Sequence, residues 1–377
     1  MSIKLQKRGA SWRLRYDLEP DAAGVRQRRS ATFTGTRKEA EAQAAKLLAN
    51  IANGVDVDPS RITVADHLRA WLEGPHGLSA KTIERYRDLS TQQVIPFLGG
   101  LSLQKLRPAH VADWHAALLK GGGQGGRPLS ARTVGHAHRV LHRGLEIALS
   151  REMVSRNVAS VIAPPKVADI EVKALKADQV AHMLEALKGH WLEPIAVLAL
   201  TSGARRGEIL GLSWGSVDLV RGSMTIERSL EQTRAGLSFK QPKTRSGRRH
   251  VSLPALAIEA LKAHRVRQLE MRMRLGLGKP DDGALVFTTP DFQPMPPNNL
   301  SRDWAIFVKA RKLPPISFHS LRHSHASLLI SSKLDPVSVA RRIGHASAST
   351  TMRIYAHLWK ETDDLAANAI DAALGKR

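Results

Sequence analysis

Apolar residues along this chain recur with two different periods. Residues 11–16 alternate Trp12, Leu14 and Tyr16 with Arg13 and Arg15, the period of a half-buried strand. A polar turn around Asp21 and Gly24 follows, then a second extended stretch from Val25 to Thr34 that carries Arg26, Arg28 and Arg29. Thr36-Arg37-Lys38-Glu39 reads as a capping box. It opens a helix with Ala40, Ala44, Leu47, Leu48 and Ile51 on one face, and Asn53-Gly54 stops it. The pattern predicts a small strand–strand–helix unit with arginines on its strands.

From residue 61 to 160 the period is helical throughout. Thr63 caps a helix bearing Val64, Leu68, Trp71 and Leu72, and Ser79 caps one bearing Ile83, Tyr86 and Leu89. Pro108 stands near the start of a third, with Val111, Trp114, Leu118 and Leu119. Gly121 to Gly126 interrupts as a loop; with no preceding strand and no following GK[ST], it is not a phosphate cradle. Ser130 caps a long helix with Val134, Val140, Leu141, Leu145 and Leu149. His136, His138, Arg139, His142 and Arg143 decorate that helix as a polar or DNA-facing surface, since no carboxylate joins them at ligand spacing.

Ala163-Pro164-Pro165-Lys166 is the clearest linker. Helices are expected from Asp178 to Leu187 and from Leu192 to Leu200. A strand-rich stretch then runs from about Gly222 to Leu253, followed by helices, with a loop at Pro294, Pro296 and Pro297. The terminal stretch from Asp363 to Leu374 spaces Leu365, Ala369, Ile370, Ala373 and Leu374 as an amphipathic helix.

Composition narrows the function. The 377 residues have an ordinary globular makeup, 42% hydrophobic and 24% charged, so a packed core is expected and not a disordered basic tail. With no cysteine, thiol catalysis, disulfides and Cys-based metal sites are excluded. MSIKLQKRGASW lacks the apolar core of a signal peptide, and no run of ~18 apolar residues exists, so a cytoplasmic protein with no membrane partner is expected. The net charge is +23, with excesses of 4, 7 and 12 in residues 1–60, 61–165 and 166–377. A chain basic in every segment suits a long polyanion gripped by several modules, and nucleic acid is the partner it implies.

Four segments in the second half carry candidate chemistry. Thr201-Ser202-Gly203-Ala204-Arg205-Arg206-Gly207-Glu208 sets Arg205 and Glu208 three apart, on one face if helical. Lys240 to Leu253 contains Lys243, Arg245, Gly247, Arg248 and Arg249; Gly247 suits a hairpin turn between two basic strands. His319-Ser320-Leu321-Arg322-His323 places His319 and Arg322 three apart and His319 and His323 four apart. The second spacing mimics a zinc pair, but the glutamate of HExxH is Ser320, so no metal is expected. Asp335-Pro336 opens a helix that Gly344 ends, His345 follows, and Tyr355 comes ten residues later, in helical register with Met352, Leu358 and Trp359.

The order and spacing of these segments resemble the tyrosine recombinase (phage integrase) family, whose signature runs Arg in a TGxRxxE-like turn, a hairpin Lys, HxxR, Gly-His and then Tyr. The matching positions are Arg205, Lys243, His319, Arg322, His345 and Tyr355, with Glu208 as the supporting acid. One small departure is Ile343, where Leu is usual before Gly-His. The resemblance implies an α+β multidomain chain. A small β-β-(β)-α arm-type DNA-binding unit would occupy 1–58, an all-helical SAM-like core-binding domain 61–163, and a mainly helical catalytic domain with a small antiparallel sheet 170–377.

It further implies site-specific DNA recombination through a 3′-phosphotyrosyl intermediate, with no cofactor, metal or ATP, integrating or excising a phage or other mobile element. In that reaction Tyr355 attacks phosphorus, and Arg205 and Arg322 clamp the anionic oxygens. His319 takes the phenol proton, Lys243 protonates the leaving 5′-oxygen, and His345 binds phosphate. Arg13, Arg15, Arg28, Arg29, Arg139, Arg143, Arg245 and Arg248 are the candidate DNA contacts. The implied partners are double-stranded attachment sites, further protomers in a homotetramer on two duplexes with the terminal helix docked on a neighbour, a host DNA-bending protein and an excisionase. The implied location is the nucleoid. A type IB topoisomerase-like relaxation activity and a non-catalytic DNA-binding regulator are the alternatives.

Overall fold

The computed structural model describes residues 3–17, 28–52, 60–168, 174–241, 247–355, 368 and 370–375. They fall into two compact units, Met1–Ala168 and Asp169–Arg377.

The first unit opens with a three-stranded antiparallel sheet of β1 (Ile3–Arg8), β2 (Ser11–Asp17) and β3 (Arg28–Thr34), in that order. β1, whose Leu5 pairs with Leu14, is a strand that the apolar alternation did not single out. Strand alternation buries Leu14 and Tyr16 on one face, where α1 (Arg37–Ala52) packs across β1 and β2. The capping box forms as expected: Thr36 N donates to Glu39 at 2.8 Å and Glu39 N to the Thr36 hydroxyl at 3.3 Å.

The rest of the unit is helical: α2 (Val64–Glu73), α3 (Ala80–Leu89), a π-turn over Ser90–Val94, α4 (Ile95–Leu98), α5 (Pro108–Gly121) and α6 (Ala131–Ser150). Thr63, Ser79 and Ser130 cap α2, α3 and α6. Leu68, Trp71, Trp114, Leu118, Val140 and Leu141 form one core. Gly144 lets α6 approach α2 closely: a Cβ there would lie 2.5 Å from a Leu68 methyl, and its carbonyl pairs with His67 Nε2 at 2.7 Å.

The histidine row on α6 is only partly a surface. His138 is buried, and its Nδ1 meets His115 Nε2 on α5 at 3.1 Å. Burial first, then the neighbouring His115 and His142, lower its pKa to about 4. The helical period places residue 138 on the inner face with Val134 and Leu141, so it serves the core.

In the second unit α8 (Glu193–Ser202) is buried almost all round. It touches α7 (Ala177–Leu187), α9 (Arg206–Leu210), α10 (Ala255–Arg274) and α12 (Ser320–Ser331). The unit also holds two small sheets. One is β4 (Val217–Asp218), β5 (Ser223–Ile226) and β8 (Arg249–Ser252); the other is the hairpin of β6 (Ser229–Thr233) and β7 (Gly236–Lys240).

The expected turn at Gly247 is therefore corrected. β7 pairs back onto β6 and turns near Gly236, whereas β8 pairs with β5. Val251, fully buried beside Met224, draws β8 into the other sheet. α11 (Pro297–Ala310), α13 (Pro336–Ile343) and α14 (Ala348–Tyr355) complete the unit. Asp335 caps α13, and Gly344 ends it at φ +73°, a left-handed conformation that glycine adopts without strain. α12, α13 and α14 close a second small core of Ala326, Ile330, Val339, Ile343 and Tyr355. Among the described residues no helix is long and apolar enough to cross a membrane.

Candidate active site

The site forms where two left-handed glycines turn the chain. Gly203, at φ +64°, ends α8, and Gly344 ends α13. Their carbonyls anchor the two motif arginines across more than a hundred residues of sequence. Arg322 Nη1, on α12, donates to Gly203 O and to Ile343 O, each at 2.6 Å. Arg205 Nη2 donates to Gly344 O at 2.9 Å.

Arg205 is not on a helix face, as its spacing from Glu208 suggested. It is the N-cap of α9, with its backbone N–H on Glu208 Oε2 at 2.8 Å and Nη1 on Glu208 Oε1 at 2.7 Å. Its guanidinium stays 43% exposed and so can meet an anion, while Arg322 is 4% exposed. Arg322 Nε and Nη2 make no hydrogen bond to the described residues, and they remain donors for an incoming oxygen. Burial first, then the neighbouring Arg205, lowers the Arg322 pKa to about 9, which leaves the group charged at neutral pH.

Glu208 has a second partner that the spacing gave no sign of. Arg249, on β8, reaches Oε2 through Nη2 at 2.9 Å and Oε1 through Nη1 at 3.3 Å, and its Nε donates to Arg342 O at 2.9 Å. Burial pushes the Glu208 carboxyl up, but the hydrogen bond and charge of Arg249, with those of Arg205, outweigh it and hold the pKa below the ordinary carboxylate range. The inward alternation of Arg249 with Val251 along β8 was the available signal. Arg342 adds a further tie, donating to His325 Nε2 at 3.1 Å and to Thr201 O at 2.9 Å.

His345 is oriented by the fully buried Thr351, whose hydroxyl lies 2.8 Å from its Nδ1. Burial, then Arg322, lowers its pKa to about 4. Tyr355 is 2% exposed, its ring part of the small core, and burial pushes its hydroxyl up to about 12 while the Arg322 charge pulls it back. The imidazole on that hydroxyl belongs to His323 and not to the expected His319: Nδ1 and the phenol oxygen are 2.6 Å apart. His319 stands edge-on to the His323 ring at 4.9 Å, its own pKa lowered by burial and by Arg322. The signal for His323 is its i,i+4 spacing from His319.

Lys243 and Arg245 lie outside the described residues. The other candidate DNA contacts lie on several elements of the two units. Arg13 and Arg15 share the open face of the first sheet, opposite Leu14 and Tyr16. Arg29 pairs across from Tyr16 on the α1 side, and Arg28 is held by Asp17 at 3.0 Å. Arg139 and Arg143 are exposed on α6, and Arg248 pairs with Glu227 at 2.7 Å. Among the described residues no cluster of three or more His, Asp or Glu side chains is disposed to hold a metal ion.

Residues 173–362 match the model of the phage integrase family, and residues 63–119 that of the phage integrase N-terminal SAM-like domain. An integrase of Streptomyces ambofaciens is 30% identical over 332 residues, 85% of this chain and 82% of that protein. A XerC-like tyrosine recombinase of Caldanaerobacter subterraneus subsp. tengcongensis is 26% identical over 350 residues, 88% of each chain. Among solved structures, the Tn1549 transposon integrase in complex with a circular intermediate DNA superposes with a TM-score of 0.68 at 19% identity, covering 83% of this chain and 99% of that one.

Proposed function

Since the chain belongs to the phage integrase family of site-specific tyrosine recombinases, we propose that it cuts and rejoins DNA through a covalent bond between Tyr355 and a 3′-phosphate. The observation that carries this reading is the convergence of Arg205, Arg322 and the Gly344-His345 turn through direct hydrogen bonds, with Tyr355 in the same small core as Ile343. Residues 1–58 serve as the arm-type DNA-binding unit, 61–163 as the core-binding domain and 170–377 as the catalytic domain.

The Tyr355 oxygen attacks phosphorus and the bond to the 5′-oxygen breaks, so a 3′-phosphotyrosine and a free 5′-hydroxyl result. Arg205 and Arg322 spread paired donors over the equatorial oxygens, where charge builds in the transition state. Removing one such clamp costs ~3 kcal/mol, or ~10² in rate. His345, aligned by Thr351, adds a neutral donor through Nε2. Lys243 protonates the leaving 5′-oxygen, a poor leaving group as an alkoxide. The guanidiniums supply the charge that a metal ion provides elsewhere, and the stored ester bond makes ATP unnecessary. Four protomers acting on two attachment-site duplexes in the nucleoid, with a DNA-bending protein and an excisionase setting direction, is the assembly that this chemistry serves.

The test is joining of two separate duplexes that carry the ends of the element encoding this chain. Tyr355→Phe keeps the ring and every nearby charge, so DNA retention in a gel persists while the covalent adduct and the joined product vanish. Relaxation of a single plasmid without joining indicates a topoisomerase, and an adduct formed by Tyr355→Phe removes the nucleophile from this position.

A further inference from the structure

A phenol must give up its proton as it bonds to phosphorus, and Tyr355 holds that proton tightly: burial pushes its pKa up to about 12. Among the described residues the hydroxyl makes one hydrogen bond, to Nδ1 of His323 at 2.6 Å. We propose that His323 is a catalytic residue, the imidazole that takes the phenol proton as the Tyr355 oxygen bonds to phosphorus and returns it when a 5′-hydroxyl reseals the strand. This rests on the reading of Tyr355 as nucleophile.

The geometry is set by packing and does not depend on a flexible side chain. The Tyr355 ring is locked among Ala326, Ile330, Val339 and Ile343, and Ala326 and Ile330 lie on the same helix as His323. His323 directly follows Arg322 on α12, so one helix sets both the phosphate clamp and the proton acceptor. The step balances: the oxygen–phosphorus bond forms, the phosphorus–O5′ bond breaks, the phenol proton moves to Nδ1, and a proton from Lys243 completes the 5′-hydroxyl.

The charges around the ring make the transfer conditional on DNA. The groups facing His323 are His319 at the N-cap of its helix, Arg322 from the helix itself, Tyr355 from α14 and His345 from the turn after α13. Burial, then His319 and Arg322, push the imidazole down to about 4, so without DNA it is neutral and free to accept, yet too weak a base to keep the proton. A phosphodiester seated on Arg322 brings a negative charge beside the ring, and the transition state brings more. Both raise the basicity of the imidazole as the phenol needs to lose its proton. The enzyme therefore makes no free phenolate before a scissile phosphate is in place.

The experiment measures covalent adduct formation on a nicked duplex that spans the joined ends of the encoding element, with DNA retention in a gel as the check on folding. His323→Asn places an amide oxygen near the Nδ1 position, where it holds the hydroxyl but cannot take its proton. Adduct formation is expected to fall by about 10² in both His323→Asn and His323→Ala. The chain has three tyrosines, and Tyr16 and Tyr86 lie in the other unit, so global replacement by fluorotyrosine changes one phenol in the catalytic unit. The more acidic phenol is expected to restore His323→Asn at least tenfold while barely changing the parent, a comparison within one variant that cancels any loss of stability. A wild-type rate in His323→Asn, or no recovery with fluorotyrosine, overturns the assignment. An adduct in Tyr355→Phe defeats the nucleophile reading itself and takes this inference with it.

Discussion

Arg249 and Glu208 form a buried ion pair, Nη2 to Oε2 at 2.9 Å, with side chains only 7% and 6% exposed. Forty-one residues apart, they join the strand that follows the Lys243 segment to the turn that holds Arg205. Through its bond to Arg342 O, Arg249 also ties in the end of α13, next to His345. Glu208 thus fixes two guanidiniums, the half-exposed one of Arg205 and the buried one of Arg249.

Glu208→Gln keeps the shape but leaves two cations around a neutral amide. Breaking one side of a buried pair costs about 3–5 kcal/mol, and the unfolding midpoint of the catalytic unit in urea is expected to drop accordingly. Arg249→Lys should fail to restore stability, since an ammonium cannot span both carboxylate oxygens and the Arg342 carbonyl as a planar fork does. Stability equal to the parent in either variant refutes the role given to the pair.

Gly344→Ala strains the chain twice. The left-handed φ of +73° costs about 1–2 kcal/mol for a residue with a side chain. The new Cβ would stand 2.6 Å from Arg249 Nη1, a group held on Glu208 and unable to swing freely away. Adduct formation should fall more than DNA retention, because the carbonyl that orients Arg205 moves with the turn. Equal loss of both would point to global unfolding.

Lys243→Ala should cleave an ordinary phosphodiester poorly, yet recover on a duplex whose scissile 5′-oxygen is replaced by sulfur. A thiolate leaves without a proton, so the general acid is no longer needed. No recovery on the sulfur substrate excludes Lys243 from that role.

Acid should unfold the catalytic unit early. Burial is the first cause that brings His323, His325 and His345 each to about 4, against ordinary values near 6.5. Between those limits the unfolded chain binds protons that the folded chain refuses. The stability is therefore complete above about pH 6.5 and is lost as pH falls toward 4. For His325, which is 5% exposed with Nδ1 on Leu200 O at 2.7 Å, the loss approaches about 3 kcal/mol. Urea midpoints measured at pH 7 and pH 5 check this; no difference between them contradicts the buried neutral state.

Short-range physics was legible in the chain. Thr36, Thr63, Ser79, Ser130 and Asp335 cap the helices that their spacing predicts, because a cap bonds within three residues of itself. The order of the arginine, Gly-His and tyrosine motifs likewise identified the family without a fold. Contacts between distant segments were a different matter. The partner of Glu208 lies on β8, whose pairing with β5 no local pattern encodes, and the row of α6 histidines hid a buried His115–His138 contact. The motif made His319 the proton acceptor, while the packing of α14 against α12 and α13 brought the hydroxyl of Tyr355 to His323. Spacing along one helix ranks both histidines alike; which of them meets the phenol depends on where a second helix, thirty residues on, sets down its ring.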